Sequence, residues 1–252
     1  MSNSAPLLSA STKLSQTLAA LSAEKTLLEA ARRHNQTHRI DQQFADAGEF
    51  RRELYAKHLE FFAAGADNTE RCFMAANRVG KTRAGACEMA YHLTGLYPHW
   101  WEGRRFPRPG DYWAAGSTTQ TTRDIVQAEL LGKLAPPTDN EVTGLGTGMV
   151  PRELIVQIRR RSGGVADAIE LAHIKHVSGG LSTLGFKTYD QGRKSFEGTG
   201  KHGIWVDEEC PEDVYLECLT RCMTTNGIIW LTFTPLQGMT PVVLRFLPPA
   251  TL

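Results

Sequence analysis

The chain has 252 residues, with 28 Lys and Arg against 27 Asp and Glu, so its formal charge of +1 provides no global basic field that would mark a nucleic-acid or membrane-surface binder. A hydrophobic content of 41% and a charged content of 22% exclude a fibrous or wholly disordered chain and suit one large globular α/β domain with an appendage. Five cysteines (Cys72, Cys87, Cys210, Cys218 and Cys222) fit neither a disulfide framework nor a paired zinc site. With no signal peptide and no apolar run near the roughly 18 residues of a membrane span, they point to a soluble protein of a reducing compartment that is not exported.

Residues 1–11 are rich in Ser and Ala and are expected to fray. From 12 to 33, Leu14, Leu18, Leu21, Leu27 and Leu28 recur at helical spacing, which predicts an amphipathic helix that packs on the main domain or docks a partner. Residues 44–62 read as a second helix with an aromatic-rich face (Phe50, Leu54, Tyr55, Leu59, Phe61, Phe62), stopped at Gly65.

The stretch that follows, RCFMAANRVGKT over 71–82, organises the rest. An apolar run at 72–76 suits a buried strand, and the polar turn ends in Gly80-Lys81-Thr82 and enters a predicted helix over 83–96. Strand, loop and helix in that order form the setting of a phosphate-binding P-loop. The helix N-terminus offers free N–H groups to an anion, Lys81 supplies positive charge and Thr82 a hydroxyl for Mg²⁺. The first motif position holds Ala75 where glycine is usual. In many P-loop ATPases the preceding segment closes over adenine, so Tyr55 and His58 are candidates for base contact or for core packing.

Residues 97–110 form an aromatic-anchored loop made locally basic by Arg104, Arg105 and Arg108. A strand at 111–117 and a helix to Leu131, with Thr118 and Thr119 as possible caps, make a second strand-helix unit. Residues 135–151, rich in Pro, Gly and Thr, read as a long surface loop. Strands then follow at 154–159, 169–177 and 181–186, separated by Ser162-Gly163-Gly164 and Ser178-Gly179-Gly180. Arg159, Arg160 and Arg161 are the densest basic run and read either as a solvated turn or as a phosphate-facing patch. His173 and His176, three apart on a strand, face opposite ways and make a poor metal pair.

At 203–209 the sequence GIWVDEE is an apolar run that ends in acids. In P-loop ATPases a buried strand delivers an Asp to the Mg²⁺ shell and the next Glu polarises the attacking water, which gives Asp207 and Glu208 these roles. A helix is predicted over 211–223 and a buried strand over 227–233. Thr232 and Thr234 stand at that strand's end, where a hydroxyl beside the acidic strand can sense the γ-phosphate.

AANRVGKT, WVDEE followed by Pro211, and MTTNGIIWLTFTPLQGMTPVV together resemble the ATPase half of tailed-bacteriophage terminase large subunits, over about residues 50–247. The resemblance implies a three-layer α/β P-loop NTPase fold of the additional-strand type. Its central sheet is mainly parallel and is preceded by an N-terminal helical segment at 1–40, with the ATPase domain at 41–252. It implies ATP and Mg²⁺ as cofactors, with phosphates on Ala76, Asn77, Arg78, Val79, Gly80, Lys81 and Thr82, and with Thr82 and Asp207 at the metal. Glu208 matches the catalytic carboxylate, Lys81 the phosphate ligand, Arg78 the family's arginine inside the P-loop, and Thr232 to Thr234 the coupling motif. The implied role is a motor that drives double-stranded DNA into a procapsid in the host cytoplasm. Its partners would be the portal protein, the terminase small subunit and copies of itself in a ring, although the isolated domain is expected to be a monomer with weak ATPase activity. An arginine finger could come from Arg78 in cis or from Arg104 to Arg108 of a neighbouring subunit.

Two departures bear on this expectation. Members often use Gln for adenine, whereas LYAKHLEFF offers His58. Full-length members continue into a nuclease domain, whereas this sequence ends at Leu252, so a motor domain without nuclease activity is expected. A helicase or remodelling ATPase, or an inactive nucleotide-binding assembly adaptor, are the other classes that the motifs permit.

Overall fold

The computed structural model describes residues 5–134 and 144–248. In chain order it contains α1 (Ala5–Thr37), α2 (Arg39–Gln42), α3 (Ala56–Ala64), β1 (Glu70–Met74), α4 (Lys81–Thr94) and β2 (Asp111–Gly116). The chain continues through α5 (Thr119–Thr121), a π-helical stretch (Thr122–Gln127) and α6 (Ala128–Leu131). Then come β3 (Ile155–Arg160), β4 (Ile169–Lys175), β5 (Leu181–Thr188), β6 (Gly203–Asp207), α7 (Glu212–Met223), β7 (Ile228–Phe233) and α8 (Pro241–Arg245).

The strands form a sheet in the order β1-β7-β6-β2-β5-β4-β3. The pairs from β1 to β5 are parallel, and β4 and β3 extend the sheet by antiparallel pairing. β7 separates the P-loop strand β1 from the acidic strand β6, which is the additional-strand arrangement that the sequence predicts. Two apolar cores flank the sheet and make a three-layer α/β architecture. One core joins Phe62, Tyr91, Trp101, Leu130 and Met149 on the α4 side, and the other joins Phe196, Val206, Tyr215, Cys218 and Phe233 on the α7 side. Cys218 and Cys222 are free and buried, as small core residues.

Four expectations change. First, the N-terminal helix starts at Ala5, before the predicted residue 12, and its body stays off the domain, with Leu14, Leu18, Leu21, Leu27 and Leu28 all exposed. No Gly or Pro interrupts the chain from 7 to 37, so nothing lets the helix turn back onto the domain. Residues 1–4 lie outside the described residues. Second, the predicted helix at 44–62 is helical only in a 3₁₀ turn (Arg52–Leu54) and in α3. Phe44 (φ 58°) and Gly48 (φ 97°) take left-handed backbone, which breaks the helix and turns Phe44 into the core.

Third, the P-loop strand begins two residues earlier than predicted and lies at the sheet edge, only partly buried. Fourth, the predicted surface loop at 135–151 falls partly outside the described residues, at 135–143. Its end packs inward, with Met149 and Val150 fully buried and their N–H groups bonded to the Glu129 and Leu130 carbonyls. The predicted helix to Leu131 is interrupted by the π-helical stretch, and the remaining predicted strands and helices are found with ends shifted by up to two residues. Thr118 caps α5 through a reciprocal capping box with Thr121, and Gly95 in left-handed backbone ends α4.

The rear of α4 is locked by a buried polar chain. Arg71 pairs with Glu88 and donates to the Phe61 carbonyl (2.8 Å), and His92 links Glu88 (3.1 Å) to the Tyr97 hydroxyl (2.8 Å). Arg71 and Glu88 neutralise each other in the interior, so removing either one alone would leave an uncompensated buried charge beside α4.

Candidate active site

β1 ends at Met74 and the loop 75–80 leads straight into α4. The turn depends on two left-handed residues, Arg78 (φ 63°) and Gly80 (φ 86°), whereas Ala75 has ordinary backbone and still donates to the Phe233 carbonyl across the sheet. Glycine is therefore required at 80 and not at 75. A Cβ at Gly80 would also lie 3.2 Å from His58 Nε2. The Lys81 ammonium donates to the Ala76 carbonyl (2.7 Å) and to Thr234 Oγ1 (2.9 Å), and the Thr234 hydroxyl lies within bonding distance of Asn77 Oδ1 (2.8 Å) and the Ala75 carbonyl (3.0 Å). Burial lowers the Lys81 pKa, and the nearby Glu208 and Asp207 charges oppose that shift.

Opposite stands the end of β6. Register pairs Asp207 with Thr232 of β7, and three side chains converge there. Thr82 Oγ1 (3.0 Å) and Thr232 Oγ1 (2.8 Å) both donate to Asp207 Oδ1, while the Trp205 indole N–H donates to Thr232 (2.7 Å). Asp207 is buried, and desolvation pushes its pKa up to about 7 against the pull of the two hydroxyls. Glu208 takes left-handed backbone (φ 66°), with its N–H bonded to the Thr232 carbonyl (3.0 Å), and partial burial raises its pKa.

A cleft of about 490 Å³ lies between these two walls. Among its lining residues are Tyr55, His58, Asn77 to Thr82 and Glu208, while Asp207, Thr232 and Thr234 lie outside the lining and connect to it through Thr82 and Lys81. His58 is buried against the rings of Phe44, Tyr55 and Phe73, in line with its core-packing reading, and donates to the Val79 carbonyl (3.0 Å), bracing the P-loop; Thr232 faces Asp207, which leaves Thr234 as the hydroxyl that reaches Lys81. Arg104 and Arg105 lie beyond the far end of α4, over the rings of Phe106 and Tyr97.

The structure adds residues that the sequence did not single out. Gln43, buried, and Phe44 line the cleft, as does Glu129 of α6, which pairs with Arg39 (3.2 Å) and Arg83 (3.7 Å). The buried Tyr189 hydroxyl donates to the Asp207 carbonyl (2.9 Å) and holds the peptide at which the chain turns left-handed into Glu208. Thr240 donates to Glu209 (2.5 Å), tying the third acid to the start of α8. Glu209 and Thr240 lie inside the quoted motifs, but Gln43, Phe44, Glu129 and Tyr189 had no motif to mark them, and Gln43 lies one residue before the stretch read as helix.

The donor set fits the groups that such a cleft would hold. A helix N-terminus with Lys81 suits an anionic phosphate chain. A carboxylate and a hydroxyl 3.0 Å apart are hard oxygen donors of the kind Mg²⁺ takes, with the rest of its shell left to phosphate and water.

Comparison with known proteins gives the family. The pattern of the family described as "Terminase large subunit, T4likevirus-type, N-terminal" matches residues 72–250. The terminase large subunit of Salmonella phage P22 is 39% identical over 210 residues, covering 77% of this chain, and the chain spans 41% of that relative's length. A solved large terminase from a thermophilic bacteriophage is 14% identical with a TM-score of 0.44, over 71% of this chain and 37% of that one. The large terminase of the same thermophilic phage, solved in complex with ADP, gives 14% and 0.43 over the same shares. With the family pattern covering the P-loop, both central acids and the strand between them, the chain belongs to the N-terminal family of T4likevirus-type terminase large subunits.

Proposed function

We propose that this chain is the ATP-hydrolysing motor domain of a phage DNA-packaging terminase, acting with Mg²⁺ on ATP and driving double-stranded DNA into a procapsid. The observation that carries the reading is the convergence on one oxygen of Asp207 of a hydroxyl from the P-loop helix, Thr82, and one from the intervening strand, Thr232. In this reading the loop 76–82 binds the phosphates and Lys81 leaves Thr234 to hold the terminal phosphate. Asp207 and Thr82 would hold Mg²⁺, which supplies charge neutralisation at the phosphates when bound.

Glu208, aimed by its left-handed backbone, orients the attacking water and takes up its proton, for which a raised pKa is suited. Arg78, exposed in the loop and lining the cleft, would add charge to the transferring group in cis, with Arg104 to Arg108 of a neighbouring subunit as the alternative source. When the terminal phosphate leaves, Lys81 returns to Thr234, and the segment after β7, tied to Glu209 through Thr240, can shift. That is the proposed link between hydrolysis and movement. Portal protein, terminase small subunit and a ring of copies on the capsid, in the host cytoplasm, complete the proposal.

Steady-state ATP hydrolysis with Mg²⁺ tests it. Lys81→Ala and Glu208→Gln should both lose roughly 10³-fold in turnover or fall to background, while Glu208→Gln still binds ATP. A wild type that neither binds nor hydrolyses ATP would overturn it.

A further inference from the structure

α7 and the short 3₁₀ turn Arg193–Phe196 cover β7, β6 and β2 on one face of the sheet, but among the described residues no helix continues over β5, β4 and β3 on that side. Register places Arg159, Leu171, Gly185 and Trp113 in one row across β3, β4, β5 and β2. Gly185 is small because the Trp113 ring lies over it, where a Cβ would come within 2.9 Å of Cδ1. The result is a concavity floored by Leu171 and Gly185, with Arg159 and Arg161 on one wall and Lys187 on the other. The walls stand two strand spacings apart, roughly 10 Å.

The charge in this concavity is only partly neutralised from within. Glu170, which also lines it, bridges Arg159 (3.1 Å), whereas Arg161 and Lys187 form no ion pair among the described residues. Lys187 is half-buried above the Trp113 ring (4.8 Å) and donates to the Ser195 carbonyl (2.6 Å), and Lys201 stands over the same ring (4.9 Å). Burial and the repulsion of Lys201 and Arg161 lower the Lys187 pKa, with the Glu170 charge opposing them. A chain of formal charge +1 has no general basicity to account for this concentration.

We propose that the open face of β3, β4 and β5 is a docking surface for the phosphate backbone of double-stranded DNA, gripped between Arg161 and Lys187. Duplex suits it better than an acidic peptide because it carries one charge per about 1.7 Å of axis, so that a single run of phosphates meets both walls at once. The hairpin tips at 162–164 and 178–180 carry glycines in left-handed backbone. β5 is parallel to β2 and β6, so Lys187 lies toward the same sheet edge as Glu208, and two residues on, Tyr189 holds the Asp207 carbonyl. The choice of duplex as the polyanion rests on the packaging reading; the anion site itself does not.

The test is fluorescence anisotropy of a labelled mixed-sequence duplex titrated with the full chain across a salt series. It compares wild type, the double variant Arg161→Gln/Lys187→Met, which keeps the lysine stem packed on Trp113, and the charge-matched control Lys25→Met/Arg32→Gln on α1. The double variant should bind roughly tenfold more weakly for every sequence, with the slope of log Kd against log salt smaller by about 2, while the control matches wild type. Equal loss in both variants, no change in the double variant, or no duplex binding by wild type at low salt would overturn the proposal, as would tighter binding of poly-glutamate than of duplex. ATP binding, measured in parallel, should be unchanged in the double variant. Failure there in the wild type would instead strike the ATPase reading.

Discussion

The two walls of the cleft are built on opposite plans. The P-loop wall is exposed and made of backbone, with left-handed Arg78 and Gly80 shaping the turn and Lys81 held by a carbonyl and a hydroxyl that a phosphate can replace. The acidic wall is buried and made of side chains, with Asp207 clamped by two threonines and its peptide held by Tyr189. A backbone wall tolerates changes of side chain, which is why Ala75 can stand in the first motif position. A buried side-chain wall tolerates few, because Asp207 Oδ1, Thr232 and the Asp207 carbonyl are each held by a specific donor.

The sharpest way to break that contrast is Asp207→Asn. The native carboxyl titrates near 7, against 3.8 when unfolded. Between those values the native state holds the extra proton, so stability falls as pH rises through the window, and the cost of the buried charge is fully present above it. Asn removes that cost. The variant should gain on the order of 2–4 kcal/mol in denaturant unfolding at about pH 8 and lose the gain at about pH 4, while hydrolysis drops at least ~100-fold. A variant less stable than wild type at the higher pH would mean that the threonine bonds outweigh desolvation, and the acidic wall would not be a strained one.

Tyr189→Phe probes the same wall at one remove. It deletes the donor to the Asp207 carbonyl and leaves the ring in the core. Because the hydroxyl positions Glu208 and touches no phosphate, kcat should fall about tenfold with nucleotide affinity within about twofold of wild type. Equal losses in kcat and affinity would make Tyr189 a support of the whole cleft.

The uneven legibility of the sequence follows the same division. Lys81, Thr82, Asp207 and Glu208 lie at element ends fixed by local patterns, an apolar run followed by a polar turn, and these patterns also give the strand that separates β1 from β6. Tyr189, Glu129 and Gln43 reach the site through tertiary packing from segments whose local pattern shows only a turn or a helix. The break at Phe44 was hidden for a related reason. Left-handed backbone at a bulky residue is costly, and only burial of its ring against Phe62, Tyr55 and Trp100 makes it favourable. The helix α1 erred the other way, since a leucine stripe fixes which face is apolar and not what lies against it.

Gln43 should give the smallest effect and the most specific one. Buried at the C-terminus of α2, it lines the cleft beside Tyr55, where His58 is occupied with the Val79 carbonyl. A carboxamide offers one donor and one acceptor side by side, which matches the N6 amino and N7 edge of adenine and mismatches guanine. Gln43→Ala should therefore weaken ATP binding about 5- to 10-fold, leave GTP binding nearly unchanged and leave kcat at saturating ATP intact. A parallel loss for both nucleotides would assign Gln43 to the cleft's shape, and an unchanged preference would return adenine recognition to Tyr55. Either result bears on the contrast between the walls, because Gln43 puts a buried, uncharged polar side chain on the side of the cleft that is otherwise built from backbone.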